Sequence, residues 1–163
     1  MSSESAVFRV LFVCTGNTCR SPLAEAAFRQ VLGPEAARFE IGSAGVAARD
    51  GDPASDGTRR VARAAGLDVS AHRARRLTSA LARGVDLVFV MERSHRNAVE
   101  SLGVEGERVH VVSEWPEPGE PGLPVSDPFG GSEEANEECW RRIRRHVERI
   151  VPRVIEQSRA RSR

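Results

Sequence analysis

Cys14 and Arg20 stand with five residues between them, and Ser21 follows directly. Before them runs an apolar stretch, Val10, Leu11, Phe12 and Val13, which reads as a buried strand of a parallel sheet. After them comes Pro22, suited to the first position of a helix, with Ser21 as its N-cap. Thr15, Gly16, Asn17, Thr18 and Cys19 fill the loop between. Such a loop converges its backbone N–H groups on one small volume, with the positive end of a helix dipole behind them, and so forms an anion site. Cys14, at the end of the strand, meets those donors and Arg20, surroundings that favour a thiolate. Arg20 offers a planar fork matched to two phosphoryl oxygens. A thiolate on the floor of a phosphate cradle is placed for in-line attack on phosphorus. Gly16 and Asn17 tolerate the left-handed backbone that converging amides require. Ser21 is able to donate a hydroxyl proton to the sulfur and hold it ionised. Taken singly, Cys14 is also readable as a strand-end core residue and Arg20 as a surface charge. Their spacing between a strand and a proline-started helix points to catalysis.

A thiolate that attacks phosphorus needs an acid to protonate the leaving group and later a base for water. Asp127 precedes Pro128, which biases it to extended backbone. Asp-Pro-x-Gly is also a common turn, and the residues alone leave both readings open.

Strands are expected over residues 7–13, 38–43, 85–91 and 109–112, and helices over 22–32, 57–65, 94–102 and 132–151. Gly33-Pro34 stops the first helix, and Pro152 should end or kink the last one. Strands alternating with helices imply right-handed crossovers: an α/β fold, one three-layer domain with a four-stranded, parallel, doubly wound sheet and helices on both faces. Ligands bind beyond the carboxyl ends of such strands, where Cys14 falls. Residues 1–6 are expected to be a disordered tail, 7–157 the domain and 158–163 a frayed end. The long loop over 115–128 is rich in Pro, Gly and Glu, a composition and length that suggest a functional segment. Cys139 falls on the apolar face of the last helix and reads as core.

At 163 residues, 40% hydrophobic and 29% charged, the chain has the size and balance of one soluble globular domain. A net charge of +1 gives no electrostatic case for nucleic acid or a membrane surface. All 24 basic residues are Arg, a bias we attribute to the source rather than to a site. The N-terminus lacks the pattern of a signal peptide, and no apolar run reaches membrane-spanning length. Three cysteines without secretory context argue against a disulfide scaffold and for a reducing cytoplasm. No Cys/His spacing resembles a zinc site, and the glycine patterns of nucleotide sites are absent, so neither metal nor organic cofactor is expected.

The segment VCTGNTCRSPLAEA resembles the low-molecular-weight protein tyrosine phosphatases, whose signature is Cys-x5-Arg-Ser/Thr near the N-terminus. Ser43-Ala44-Gly45, Ala71-His72-Arg73-Ala74-Arg75 and Asp127-Pro128-Phe129-Gly130 match further blocks of that family in its order, over about residues 7–150. The resemblance implies a cysteinyl-phosphate mechanism on phosphorylated protein substrates by a monomer. It makes Cys14 the nucleophile, Arg20 the phosphate clamp and Asp127 the general acid. It also gives Asn17, Ser21, Ser43 and His72 the task of holding the loop, and allows Cys14 and Cys19 to close into a reversible, protective disulfide. Cys19 as a small buried filler is the other reading.

Two departures from the tyrosine-specific pattern concern the substrate. Thr18 replaces a bulky aliphatic residue, and Phe129-Gly130-Gly131 follows Asp127-Pro128 where Tyr is usual. CTGNTCRS with DPFGG resembles the branch that acts on phosphoarginine in proteins. A Thr hydroxyl at the rim is able to meet a guanidinium, and Phe129 supplies a stacking wall. A tyrosine phosphatase of the same family is the alternative. An arsenate reductase is remote, because the chain has no cysteine between Cys19 and Cys139.

Overall fold

A computed structural model describes residues 7–117 and 124–161. The expected tail over residues 1–6, the middle of the 115–128 loop and residues 162–163 lie outside the described residues.

Period-two burial in the first strand organises the molecule. In β1 (Phe8–Cys14), Phe8, Val10, Phe12 and Cys14 turn to one face of the sheet, while Leu11 and Val13 turn to the other. Both faces are apolar, so β1 must lie between layers. On the first face it packs against α1 (Arg20–Leu32), where Leu23, Ala27 and Phe28 are buried, and α5 (Glu133–Arg161), through Ile143, Val147 and Ile150. The second core sets Leu11 and Val13 with Ala82 of α3 (Ser79–Arg83) and Val99 of α4 (Arg93–Glu100). Between them in the chain come β2 (Phe39–Gly45), α2 (Asp56–Ala64), β3 (Leu87–Val90) and β4 (Val109–Val111).

The four strands are parallel, in the order β2-β1-β3-β4. The order reverses between β1 and β3, which opens a crevice at their carboxyl ends. Cys14 pairs in register with Gly45 and Val13 with Val90, so the loops after β1, β2 and β3 meet at that edge. Three layers and a doubly wound parallel sheet are therefore as the alternation of elements predicts.

Three expectations need correction. Helix α1 starts at Arg20, with Cys19 at the N-cap and no side-chain cap; Ser21 lies inside the helix because its hydroxyl is used elsewhere. A short helix, α3, was not expected; it is a single turn capped by Thr78, whose hydroxyl accepts from Leu81 N–H. Helix α5 runs 29 residues through Pro152 to Arg161, so residues 158–161 are helical rather than frayed. Tertiary contacts hold that end: Ser158 is buried and takes a bond from Arg38, and Arg161 donates to Val7 O. Among the described residues no helix is long and apolar enough to cross a membrane.

Candidate active site

The loop from Cys14 to Arg20 is turned by its carbonyls. Thr15 O accepts from Ala47 N–H at 2.9 Å, Thr18 O from Ser55 N–H at 2.9 Å, and Asn17 O meets His72 Nε2 at 2.6 Å. A trans peptide sets each C=O opposite the N–H that follows it. Anchoring those carbonyls outside the loop therefore points the N–H groups of Gly16, Thr18 and Cys19 into the hollow it surrounds. Asn17 takes the left-handed backbone this turn requires, at φ 57°. Gly45 makes room for the loop, since a Cβ there would come within 2.5 Å of Thr15 O and 2.9 Å of Asn17 N.

A directed hydrogen-bond chain runs behind the loop. Asn17 Oδ1 accepts from Arg75 N–H at 2.9 Å, which fixes the amide so that Nδ2 donates to Ser21 Oγ (2.8 Å) and Ser43 Oγ (3.0 Å). Ser43 in turn donates to Glu25 at 2.7 Å. Ser21, with a lone pair occupied by Asn17, faces Cys14 Sγ at 3.0 Å, and Asn17 N–H donates to the same sulfur at 3.3 Å. The sulfur thus takes one backbone N–H and shares a second hydrogen bond with a hydroxyl. Cys19 has different surroundings. Ser55 gives its proton to Thr58 Oγ1, so the 3.2 Å contact with Cys19 is made by the Cys19 S–H.

Arg20 is the first residue of α1 and is only 1% exposed. One terminal nitrogen donates to Glu92 (3.0 Å) and to Val125 O (3.0 Å), and the other to Thr15 Oγ1 (3.4 Å). Its Nε is buried without a hydrogen-bond partner among the described residues. Asp127 brings Oδ2 to 3.8 Å from the guanidinium, while its Oδ1 accepts from Phe129 N–H at 3.0 Å. Asp127 is thereby held facing the cavity by its own turn. The turn expected of Asp-Pro-x-Gly is thus formed, and it leaves Oδ2 on the side of Arg20.

These groups line a cavity of about 350 Å³. Cys14, Thr15, Gly16, Thr18, Cys19 and Arg20 of the loop line it together with Asp127, the exposed Phe129, and Ala47, Arg49 and Asp52 from the connection after β2. Hydrogen bonds join Asn17 in the loop to Ser21, Ser43 and His72, the residues to which the resemblance gives the task of holding it.

The chain matches the Low molecular weight phosphotyrosine protein phosphatase family over residues 9–160. It belongs to that family. Among low molecular weight phosphatases, a probable protein-tyrosine-phosphatase of Ralstonia nicotianae, EpsP, is 34% identical over 146 residues, 89% of this chain and 94% of that protein. A protein-arginine-phosphatase of Bacillus subtilis is 32% identical over 149 residues, 91% of this chain and 95% of that one. A solved YwlE arginine phosphatase, a mutant with a phosphorylated active-site serine, superposes with a TM-score of 0.83 at 27% identity, covering 93% of this chain and 99% of that one.

Sequence reading missed several residues of this phosphatase site. Glu92 and His95 follow β3, Glu25 lies in α1, Arg75 closes the His72 segment without having been given a task, and Asp52 lies in the connection after β2. A signal existed for two of them: a doubly wound sheet directs every residue just past a strand's carboxyl end toward the ligand edge, which includes the segment after Met91. His95 is buried, and burial first, then the Arg20 guanidinium, hold its pKa below the usual imidazole value, against the opposing pull of Glu92 and Asp127. Burial pushes the Cys139 thiol up to about 12, in keeping with its expected place in the core.

Proposed function

We propose that this phosphatase hydrolyses phosphorylated proteins through a cysteinyl-phosphate at Cys14, and that its preferred substrate is phosphoarginine. The observation that carries the mechanism is the hydrogen-bonded Cys14 sulfur beside a buried Arg20 with a spare Nε–H, both lining one cavity. The Cys14 thiolate attacks phosphorus, and the S–P bond forms as the bond to the leaving nitrogen or oxygen breaks. Arg20 and the inward amides take the equatorial oxygens, a stabilisation that grows toward the transition state. Asp127 gives its proton to the leaving group. Water then attacks the phosphocysteine, Asp127 takes back a proton, and the thiolate leaves with phosphate released.

The substrate class follows from the rim. The Thr18 hydroxyl and the carboxylates of Asp52 and Asp127 line the same cavity, and acceptors suit a guanidinium better than a phenol ring. Phosphotyrosine is the second reading, favoured by the identity with tyrosine phosphatases and by the exposed Phe129 beside the mouth. In the same proposal Cys19 shields Cys14 by closing a disulfide under oxidant.

The test compares kcat/KM on phosphoarginine and phosphotyrosine peptides, with Cys14→Ser as the blank. The expected result is a preference for phosphoarginine that Thr18→Ile shifts toward phosphotyrosine, and no turnover by Cys14→Ser. A parent preferring phosphotyrosine refutes the substrate assignment and leaves the mechanism. Turnover that survives Cys14→Ser refutes the mechanism.

A further inference from the structure

Thr15 enters the loop as one of its residues, but its side chain sits in a network of its own. Thr15 Oγ1 lies 2.9 Å from His95 Nε2 and accepts from Arg20 at 3.4 Å. At the far side of the ring, His95 Nδ1 takes the Glu92 backbone N–H at 3.2 Å. An imidazole nitrogen that accepts carries no proton, so the neutral ring must hold its hydrogen on Nε2. The opposite tautomer would set N–H against N–H at Glu92. His95 Nε2–H therefore donates to Thr15, and Arg20 donates to the same oxygen.

A hydroxyl has two lone pairs and one proton. With both lone pairs of Thr15 occupied by His95 and Arg20, its proton has to point elsewhere, and Thr15 is exposed on the wall of the cavity that holds Cys14. Resting on the phosphatase reading above, we propose that the Thr15 hydroxyl is a dedicated hydrogen-bond donor to the substrate phosphoryl group, and that His95 is the positioning residue that fixes its direction. Neutral His95 is what this arrangement needs. Burial and Arg20, opposed by Glu92 and Asp127, keep the ring neutral to lower pH than an ordinary histidine.

The loop amides are contacts available to any sequence with this backbone. Thr15 and His95 add a side-chain donor, with one partner in the loop after β1 and the other on α4. The crevice between β1 and β3 is thus closed by a bond that also aims a proton at the ligand.

The experiment is a double-mutant cycle read as the Kd for inorganic phosphate by calorimetry, which needs no turnover. Thr15→Val should weaken phosphate about tenfold, the loss expected for one bond to a charged oxygen. Thr15→Ser should recover most of it. His95→Ala should weaken phosphate severalfold in the Thr15 protein and add almost nothing in Thr15→Val. His95→Gln, whose amide is able to donate to Thr15, should restore binding. Thr15→Ala replaces Thr15→Val if the branched side chain does not fold. Additive losses, unchanged phosphate affinity in the Thr15 or His95 single variants, or no rescue by His95→Gln overturns the proposal. A parent that binds phosphate but does not hydrolyse para-nitrophenyl phosphate refutes the phosphatase reading alone. A parent that binds no phosphate refutes both.

Discussion

At the scale of the residue, the site depends on the direction of hydrogen bonds as much as on distances. Asn17 is held in one orientation by the Arg75 amide, and its Nδ2 then donates to Ser21, which lies 3.0 Å from the Cys14 sulfur. The two loop cysteines are distinguished in the same way: Cys14 accepts the Asn17 backbone N–H, and Cys19 itself donates to Ser55. Their proposed pairing has a direct check. After hydrogen peroxide, activity of the parent should return on adding dithiothreitol, whereas Cys19→Ser should recover only a small part, because an unprotected Cys14 passes beyond the sulfenic stage. Equal recovery in both proteins would remove Cys19 from that role. Asp127→Asn should lower kcat by about 10²- to 10⁴-fold, with the larger loss on substrates that have poor leaving groups, measured across a series of aryl phosphates. A loss independent of the leaving group would mean that Asp127 acts only by orienting the loop.

At the scale of the element, β1 and β3 bring two loops to one edge, and a buried histidine joins them. Burial lowers the pKa of His95 and, on β4, of His110, where Arg96 adds to the effect. A histidine with a lowered folded pKa takes up its proton more readily when unfolded, so acid draws the protein toward the unfolded state. The stability concerned is complete above the unfolded value of about 6.5 and is lost as pH falls through the folded one. Urea denaturation at pH 7.5 and pH 5.5 should therefore show a loss of stability on acidification. His95→Gln should lose less than the parent over the same interval. An equal loss would exclude His95 as a contributor.

At the scale of the whole molecule, α5 packs beside α1 in the core on the first face of the sheet, and its end reaches back to the start of β1. Arg161 donates to Val7 O and lies 4.8 Å over the ring of Phe8, while Ser158 is buried beside Arg38. The same helix bears Cys139 and Arg142, which line a cavity of about 180 Å³ with Asp127 and Pro128, and Arg142 donates to Pro124 O just before that segment. Deleting residues 158–163 should cost roughly 1–3 kcal/mol of unfolding free energy, the range for losing a few buried contacts. Chemical denaturation measures it, and an unchanged midpoint would show that the last turn is dispensable.

The sequence by itself determined the loop, the sheet and the family. Cys14, Arg20 and Ser21 are legible because a strand, a short loop and a helix lie consecutively in the chain, and their backbone forces the residues between to converge. Alternating apolar runs likewise sufficed for the parallel, doubly wound architecture. What lay beyond it were groups brought in from other elements. The pairing of His95 with Thr15 spans eighty positions, and that of Arg20 with Glu92 seventy-two. Both depend on β3 pairing with β1 in one particular register. The end of α5 was misjudged for the same reason: Pro152 and a polar terminal segment argue locally for a stop, and contacts with Arg38, Val7 and Phe8 keep the helix going. Local chemistry is written in neighbouring residues, whereas the direction of a hydroxyl proton or the end of a helix is decided by partners that only folding brings within reach.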